Sequence, residues 1–177
     1  MSREAEIAAL LDRAAIAEVV GPRYGRAMDW LDLAALQSCF HEDATLDYGY
    51  FQGSAHDWAA MRCGNPEPGL LHRFHYLFPP SIALDGERAR SEGNSIAGVR
   101  QRDVDGDGEA VTTTYFGSRY FDDVEKRGGV WRMSRRVVRV EFVESSEGGA
   151  ASGMFAKLAM LEGASTSHPL YRDFGVR

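Results

Sequence analysis

Cysteine is nearly missing from this chain: Cys39 and Cys63 are the 2 in 177 residues. Two thiols cannot build the disulfide framework of a small secreted domain, so a reducing, cytoplasmic setting is expected. Basic residues are also in short supply, 20 Lys and Arg against 26 Asp and Glu, for a formal charge of −6. With no basic cluster, nucleic acid is excluded as a partner, because its phosphates select for Lys and Arg. No apolar run approaches the roughly 20 residues that span a bilayer, so a membrane is excluded too. The opening MSREAEIAALL is charged and helical in pattern, unlike the unbroken apolar stretch of a signal peptide.

Cofactor signatures are missing as well. There is no GxGxxG, no phosphate-binding Walker loop and no GxSxG elbow. The histidines at 41, 56, 72, 75 and 168 form neither HExxH nor HxH, and the cysteines have no second pair, so zinc is not expected. Asp103-Val-Asp105-Gly-Asp107-Gly108 copies the opening of a calcium loop, but the twelfth position, which needs a bidentate Glu, is Thr114. Asp-Gly pairs between strand-like runs are also the commonest hairpin signal, and a turn explains these residues without a metal. Neither metal nor cofactor is expected.

What is present is an ordinary globular composition, 44% hydrophobic and 26% charged, in a length suited to one domain. Ile7, Leu10, Leu11, Ala14, Ala15, Val19 and Val20 recur near a 3.6-residue period and predict an amphipathic helix over the first 27 residues, bent or interrupted at Pro22. Asp32 reads as the N-cap of a second helix reaching Phe40, and Ser54 opens a third ending near Cys63. A short strand is expected over Ala44–Tyr50. After residue 70 the pattern turns to strands: Leu70–Phe78, Ile82–Leu84, Ala89–Arg102, Ala110–Asp122 and Val130–Val143. Helices first and a long antiparallel meander after them predict an α+β fold. From Glu144 the pattern breaks into SSEGGAASG, a linker-like stretch. One short helix is then possible over Met154–Glu162, and SHPLYRDFGVR reads as irregular.

One set of residues suggests chemistry. Tyr24, Asp29 and Trp30 fall where the first helix ends, and His75 stands in an apolar strand among Phe74, Tyr76, Leu77 and Phe78. A histidine there needs a partner for its ring N–H, and a carboxylate supplies one while fixing the tautomer of a general base. Spacing alone leaves the plainer alternative open, a histidine hydrogen-bonded within the core. His72, three positions earlier in the strand, should face the other way.

The series Ala15-Ile16, Tyr24, Asp29, Asp32, Leu36, Phe40, Asp43-Ala44 and Asp47 resembles the opening of SnoaL-like proteins of the nuclear transport factor 2-like superfamily. His75 followed by Asp85-Gly86-Glu87 and Ala89 is similar to their histidine strand and next turn. Tyr115, Tyr120-Phe121-Asp122, Gly129-Val130-Trp131-Arg132-Met133 and Arg136 resemble their closing hairpin. The resemblance implies a cone-shaped barrel over residues 1–143, in which a curved antiparallel sheet wraps the N-terminal helices and leaves a deep pocket. Residues 144–177 remain a tail: linker, short helix, lid or docking arm.

Members with Asp and His at these two places include scytalone dehydratase, bile-acid 7α-dehydratase and lindane dehydrochlorinase. The resemblance therefore implies His75 as the proton-abstracting base, Asp29 as its orienting partner and Tyr24 as a contact to the substrate oxygen. It implies Tyr48 and Arg136 as further substrate-binding residues, although strand parity leaves Arg135 open as the inward one. Pro79 departs from the pattern, since many relatives carry Asn four residues after the histidine. Trp30, Phe51, Trp58, Phe74, Phe78 and Phe116 are the aromatic candidates for the pocket wall. The implied function is a cofactor-independent lyase or isomerase acting on a hydrophobic cyclic molecule such as a steroid, polyketide or aromatic catabolite. The alternatives are a non-catalytic binding or interaction module of the same fold and, less favoured, a structural subunit resembling the β chains of ring-hydroxylating dioxygenases. A homo-oligomer, dimer or trimer, is expected.

Overall fold

A computed structural model describes residues 2–104, 110–148, 153–161 and 163–174. Most of the Asp103–Gly108 turn and part of the glycine-rich stretch after Glu144 lie outside the described residues. Helix α1 (Arg3–Val20) starts at Ser2, whose hydroxyl accepts from the Ala5 N–H. Of the two outcomes expected at Pro22, the helix is interrupted. The proline separates α1 from α2 (Pro22–Asp29) and takes the first helical position, where a missing N–H costs nothing. Asp32 caps α3 (Leu33–Ser38), its carboxylate accepting from Ala35 N–H at 2.9 Å. That helix stops short of Phe40, which instead opens strand β1 (Phe40–Asp47). After β2 (Gln52–Ser54), the Ser54 hydroxyl caps α4 (Ala55–Gly64).

The strands that follow are β3 (Leu70–Leu77), β4 (Ser81–Asp85), β5 (Arg88–Arg102), β6 (Val111–Arg127) and β7 (Val130–Gly148). They form one seven-stranded sheet in the order β2-β1-β7-β6-β5-β3, with β4 also on β5. The fold is α+β, and the sheet is curved but does not close into a barrel. The antiparallel expectation needs one correction, because β1 runs parallel to β7. Three helices separate β1 from the chain start, and the long route to β7 permits a parallel junction that a hairpin could not make. Bulges at Gly117/Ser118 and Asp123/Val124 interrupt the β6–β7 register, and such bulges bend the strands around the helices. Strand β7 also runs past Val143 to Gly148, because Val111–Tyr115 of β6 offers it a partner that its small polar residues do not advertise.

The core lies between helices and sheet: Ile16, Val19, Tyr24, Met28 and Leu36 from one side, Phe40, Tyr120, Val124, Met133 and Val138 from the other. The first half of α1 does not join it. Leu10 and Leu11 are 65% and 66% exposed, because α1 meets the sheet only from Asp12, which accepts from the Trp131 indole at 2.8 Å and pairs with Lys126. The tail also differs from expectation. A single 3-10 turn, Phe155–Lys157, stands in place of the helix over 154–162, and α5 (Pro169–Phe174) forms in the segment read as irregular. His168 Nδ1 accepts from Leu170 N–H at 3.2 Å and Pro169 opens the helix, so local capping forms this short turn. No described helix is long and apolar enough to cross a membrane.

Candidate active site

Helix α2 lies close on strand β3 because residue 25 is glycine. A Cβ there would sit 2.4 Å from Leu77 Cδ1 and 3.3 Å from His75 Cβ. One helical turn later the helix ends at Asp29, directly over His75. His75 Nδ1 donates to Asp29 Oδ1 at 2.6 Å, and the His75 backbone N–H donates to Asp29 Oδ2 at 3.2 Å. One carboxylate therefore holds both the ring and the strand that carries it. An ionised carboxylate only accepts, so the proton resides on Nδ1 and Nε2 keeps a free lone pair on the opposite edge of the ring. The histidine side chain is 8% exposed and forms part of a cavity wall.

That cavity has a volume of about 320 Å³, at the small end of the range for small-molecule sites. Tyr24 is fully buried, lies edge-on to the His75 ring at 6.2 Å between centroids and shares a hydrogen bond with the Tyr48 hydroxyl. Trp58 stacks on Tyr48 at 4.8 Å, and its indole donates to the Tyr50 hydroxyl at 3.1 Å. Burial pushes the Tyr24 and Tyr48 phenols well above the ordinary tyrosine range. Both are therefore neutral hydrogen-bond donors at physiological pH, and neither is a base. Met28, Val99, Phe116, Val138 and Val140 make the rest largely apolar.

A second polar group stands on the same wall. Arg73, two residues before His75 and on the same face of β3, is 3% exposed. Its Nε and Nη2 donate to Glu67 Oε2 at 3.0 and 2.8 Å, and Nη2 also donates to the Arg62 carbonyl at 2.8 Å. Glu67 pairs in turn with the Arg62 guanidinium. Burial alone would raise the Glu67 carboxyl, but its own backbone N–H and the two guanidiniums outweigh that and hold it below the usual range.

Several sequence candidates fall elsewhere. Tyr24, Tyr48, Trp58 and Phe116 line the cavity with His75. Arg136 does not, although it is the inward-facing arginine while Arg135 is exposed. It is fully buried behind Tyr24, where Nε and Nη2 donate to the two oxygens of Asp122 at 2.7 and 2.9 Å. Its guanidinium lies 4.2 Å from the Tyr24 ring centre and 4.5 Å from that of Tyr120. Burial would lower its pKa, but the Asp122 carboxylate reverses that and raises it further. Arg136 therefore supports Tyr24 and has no cavity surface of its own.

Phe78 lies beyond the end of β3 and is 53% exposed. Phe74 packs on Tyr76 on the outer face of that strand. Trp30 contacts His168 and Tyr171 of the C-terminal segment instead of the cavity. That segment docks outside the site: the Gly163 N–H donates to the Leu71 carbonyl at 2.9 Å, Arg26 covers the Tyr171 ring, and Tyr171 bonds Asp32. Arg73 and Glu67 were missed because no motif includes them, yet position 73 shares His75's strand parity and could have been found by it.

A sequence profile of the SnoaL-like domain matches residues 8–137, most of the chain and every element from α1 to the middle of β7. The chain belongs to the SnoaL-like family. Its fold is shared with hexachlorocyclohexane dehydrochlorinase LinA type 2, which is 17% identical, with a TM-score of 0.69 over 84% of this chain and 98% of that one. A scytalone dehydratase-like protein from Novosphingobium aromaticivorans is 20% identical, with a TM-score of 0.64 over 85% of this chain and 97% of that one. The type 3 LinA dehydrochlorinase from Novosphingobium barchaimii is 19% identical, with a TM-score of 0.66 over 80% and 94%. No curated protein matches. The SnoaL-like domain here thus has the fold of neighbours that include dehydratase-like and dehydrochlorinase proteins.

Proposed function

We propose that this SnoaL-like protein is a cofactor-independent lyase or isomerase acting on a compact, hydrophobic cyclic molecule. The observation that carries the reading is the 2.6 Å contact between Asp29 and the wall-forming His75. Nε2 takes a proton from a substrate carbon, and Asp29 holds the ring and balances the imidazolium charge that forms. Charge that develops on a substrate oxygen is met by the Tyr24–Tyr48 pair, in which one hydroxyl donates to the other and the second donates outward. The electron pair left on carbon expels a leaving group in an elimination; in an isomerisation it delocalises, and Nε2 returns the proton to another carbon. The fold relationship to dehydratase-like and dehydrochlorinase proteins supports either outcome.

The test is turnover of a panel of hydroxylated and halogenated ring compounds by wild type, His75→Ala and Asp29→Asn. Turnover that both variants retain would sink the mechanism. Tyr24→Phe is expected to lower kcat by about 100-fold with little change in KM, as for loss of one oxyanion donor. An equal fall in both Tyr24→Phe and Tyr48→Phe fits the paired hydroxyls; no fall in either removes them from the chemistry.

The same reading includes self-association. Ile7, Leu10 and Leu11 on α1 and Phe142 on β7 leave apolar side chains uncovered, and exposed apolar surface of this kind marks interfaces. Light scattering is expected to give a dimer or trimer, and a monomer at micromolar concentration would contradict it.

A further inference from the structure

Arg73 is a buried cation with more donors than its neighbours use. Nε and Nη2 are engaged by Glu67 and the Arg62 carbonyl, but Nη1 has no hydrogen-bond partner among the described residues. Glu67 is shared with Arg62, so two guanidiniums stand against a single carboxylate on this stretch of wall. A charge removed from water is costly until it is paired, and an unpartnered N–H adds to that cost. Arg136 also has an unpartnered nitrogen, but two tyrosine rings cover its guanidinium and it is off the cavity. Arg73 has no ring over it among the described residues, and it lines the cavity. A purely structural role, tying β3 to the end of α4, accounts for Nε and Nη2 but not for Nη1.

We propose that Arg73 is an anion-reading subsite, and that the substrate is a mono- or bicyclic apolar compound carrying a carboxylate. Two residues on one face of a strand are roughly 7 Å apart, so the carboxylate sits at about that distance from the carbon facing His75. The Arg73 Nη1 N–H donates to it and gains the partner that the protein does not supply. The proposal rests on the reading of this cavity as the substrate site, and it adds the chemical class that the site selects.

Calorimetric titration with 2-naphthoate and its neutral isostere 2-naphthamide tests it without turnover. Wild type is expected to bind the carboxylate about 10-fold or more tightly than the amide, the scale of one hydrogen bond to a charged group. Arg73→Met is expected to bring the ratio to about one while the amide affinity stays within about 3-fold, and Arg73→Lys to keep part of the preference. Should Arg73→Met fail to fold, Arg73→Lys carries the test, and its ratio must fall by at least about 3-fold. A flat ratio in wild type, no binding of naphthoate, or a preference unchanged in these variants would overturn the subsite. His75→Gln separates the two readings: its naphthoate preference is expected to persist whatever happens to turnover. If turnover survives in His75→Gln while Arg73 still sets the ratio, the catalytic reading fails and the subsite stands.

Discussion

His75→Ala is expected to lower kcat by about a thousandfold, within the range of roughly 10²–10⁴ ascribed to a positioned general base. That corresponds to about 4 kcal/mol of transition-state stabilisation. The reason is geometric. Asp29 accepts from both the ring Nδ1 and the backbone N–H of His75, so the ring and the strand that carries it are fixed together before substrate arrives. The order needed at the transition state is therefore already present in the folded protein. Asp29→Asn is expected to be nearly as damaging although it keeps the shape, because the amide can present its NH2 to Nδ1 and stabilise the wrong tautomer. The two effects should be far from additive, since Asp29 acts only through the His75 ring. Little change in KM is expected in either variant, and exogenous imidazole should restore part of the activity of His75→Ala but none of that of Asp29→Asn. Stopped-flow or steady-state kinetics on a converted ring compound checks this. A large KM change at unaltered kcat would show that His75 only binds.

Asp122→Ala is expected to destabilise the fold by about 3–5 kcal/mol, the cost of leaving a buried charge without its partner. Asp122 sits among the best-buried polar residues, bonded bidentately by Arg136 and by the Ser91 hydroxyl at 3.0 Å. Arg136 also donates to the Val20 carbonyl at 2.8 Å, at the end of α1, so the pair ties helix to sheet. With a stability of roughly 5–15 kcal/mol for an ordinary domain, such a loss is a large fraction of the total. At about 2–4 °C per kcal/mol for a chain of this size, Tm should fall by about 6–20 °C in thermal denaturation followed by circular dichroism. The paired replacement Asp122→Leu with Arg136→Met should recover much of that loss, because an apolar pair carries no stranded charge. It should not recover activity, because the Arg136 guanidinium lies against the Tyr24 ring that faces the cavity. A single-variant loss under about 1 kcal/mol would show the pair to be far more hydrated than its burial implies.

Much of the local structure was legible because its causes lie within a few residues. Pro22 cannot continue a helix, so a boundary falls there; Ser54 and Asp32 accept the orphan N–H groups of the helices they open. Aromatic and apolar enrichment ending at Pro79-Pro80 marks β3, and strand parity separates His72 from His75. The Asp29–His75 partnership was legible in another way, through family resemblance, since nothing in the spacing of residues 29 and 75 makes them neighbours.

The rest was decided by contacts between distant parts of the chain. Leu10 and Leu11 have the helical period of core residues yet stay in solvent, because periodicity names a face without saying whether a surface lies opposite it. Glu144–Gly148 lacks strand propensity but pairs with Val111–Tyr115, an example of tertiary pairing overriding local preference. Arg136 read as a pocket residue and became the support behind Tyr24, because Asp122 on the adjacent strand captures it. Arg73 carried no signal beyond strand parity until the fold set Glu67, Arg62 and an apolar cavity around it. The sequence by itself determined that there would be helices, then strands, in one acidic domain poor in thiols, because composition and short-range sterics suffice for that. Which polar side chains face the cavity was settled only by the tertiary structure, since burial and charge pairing depend on residues far apart in the chain.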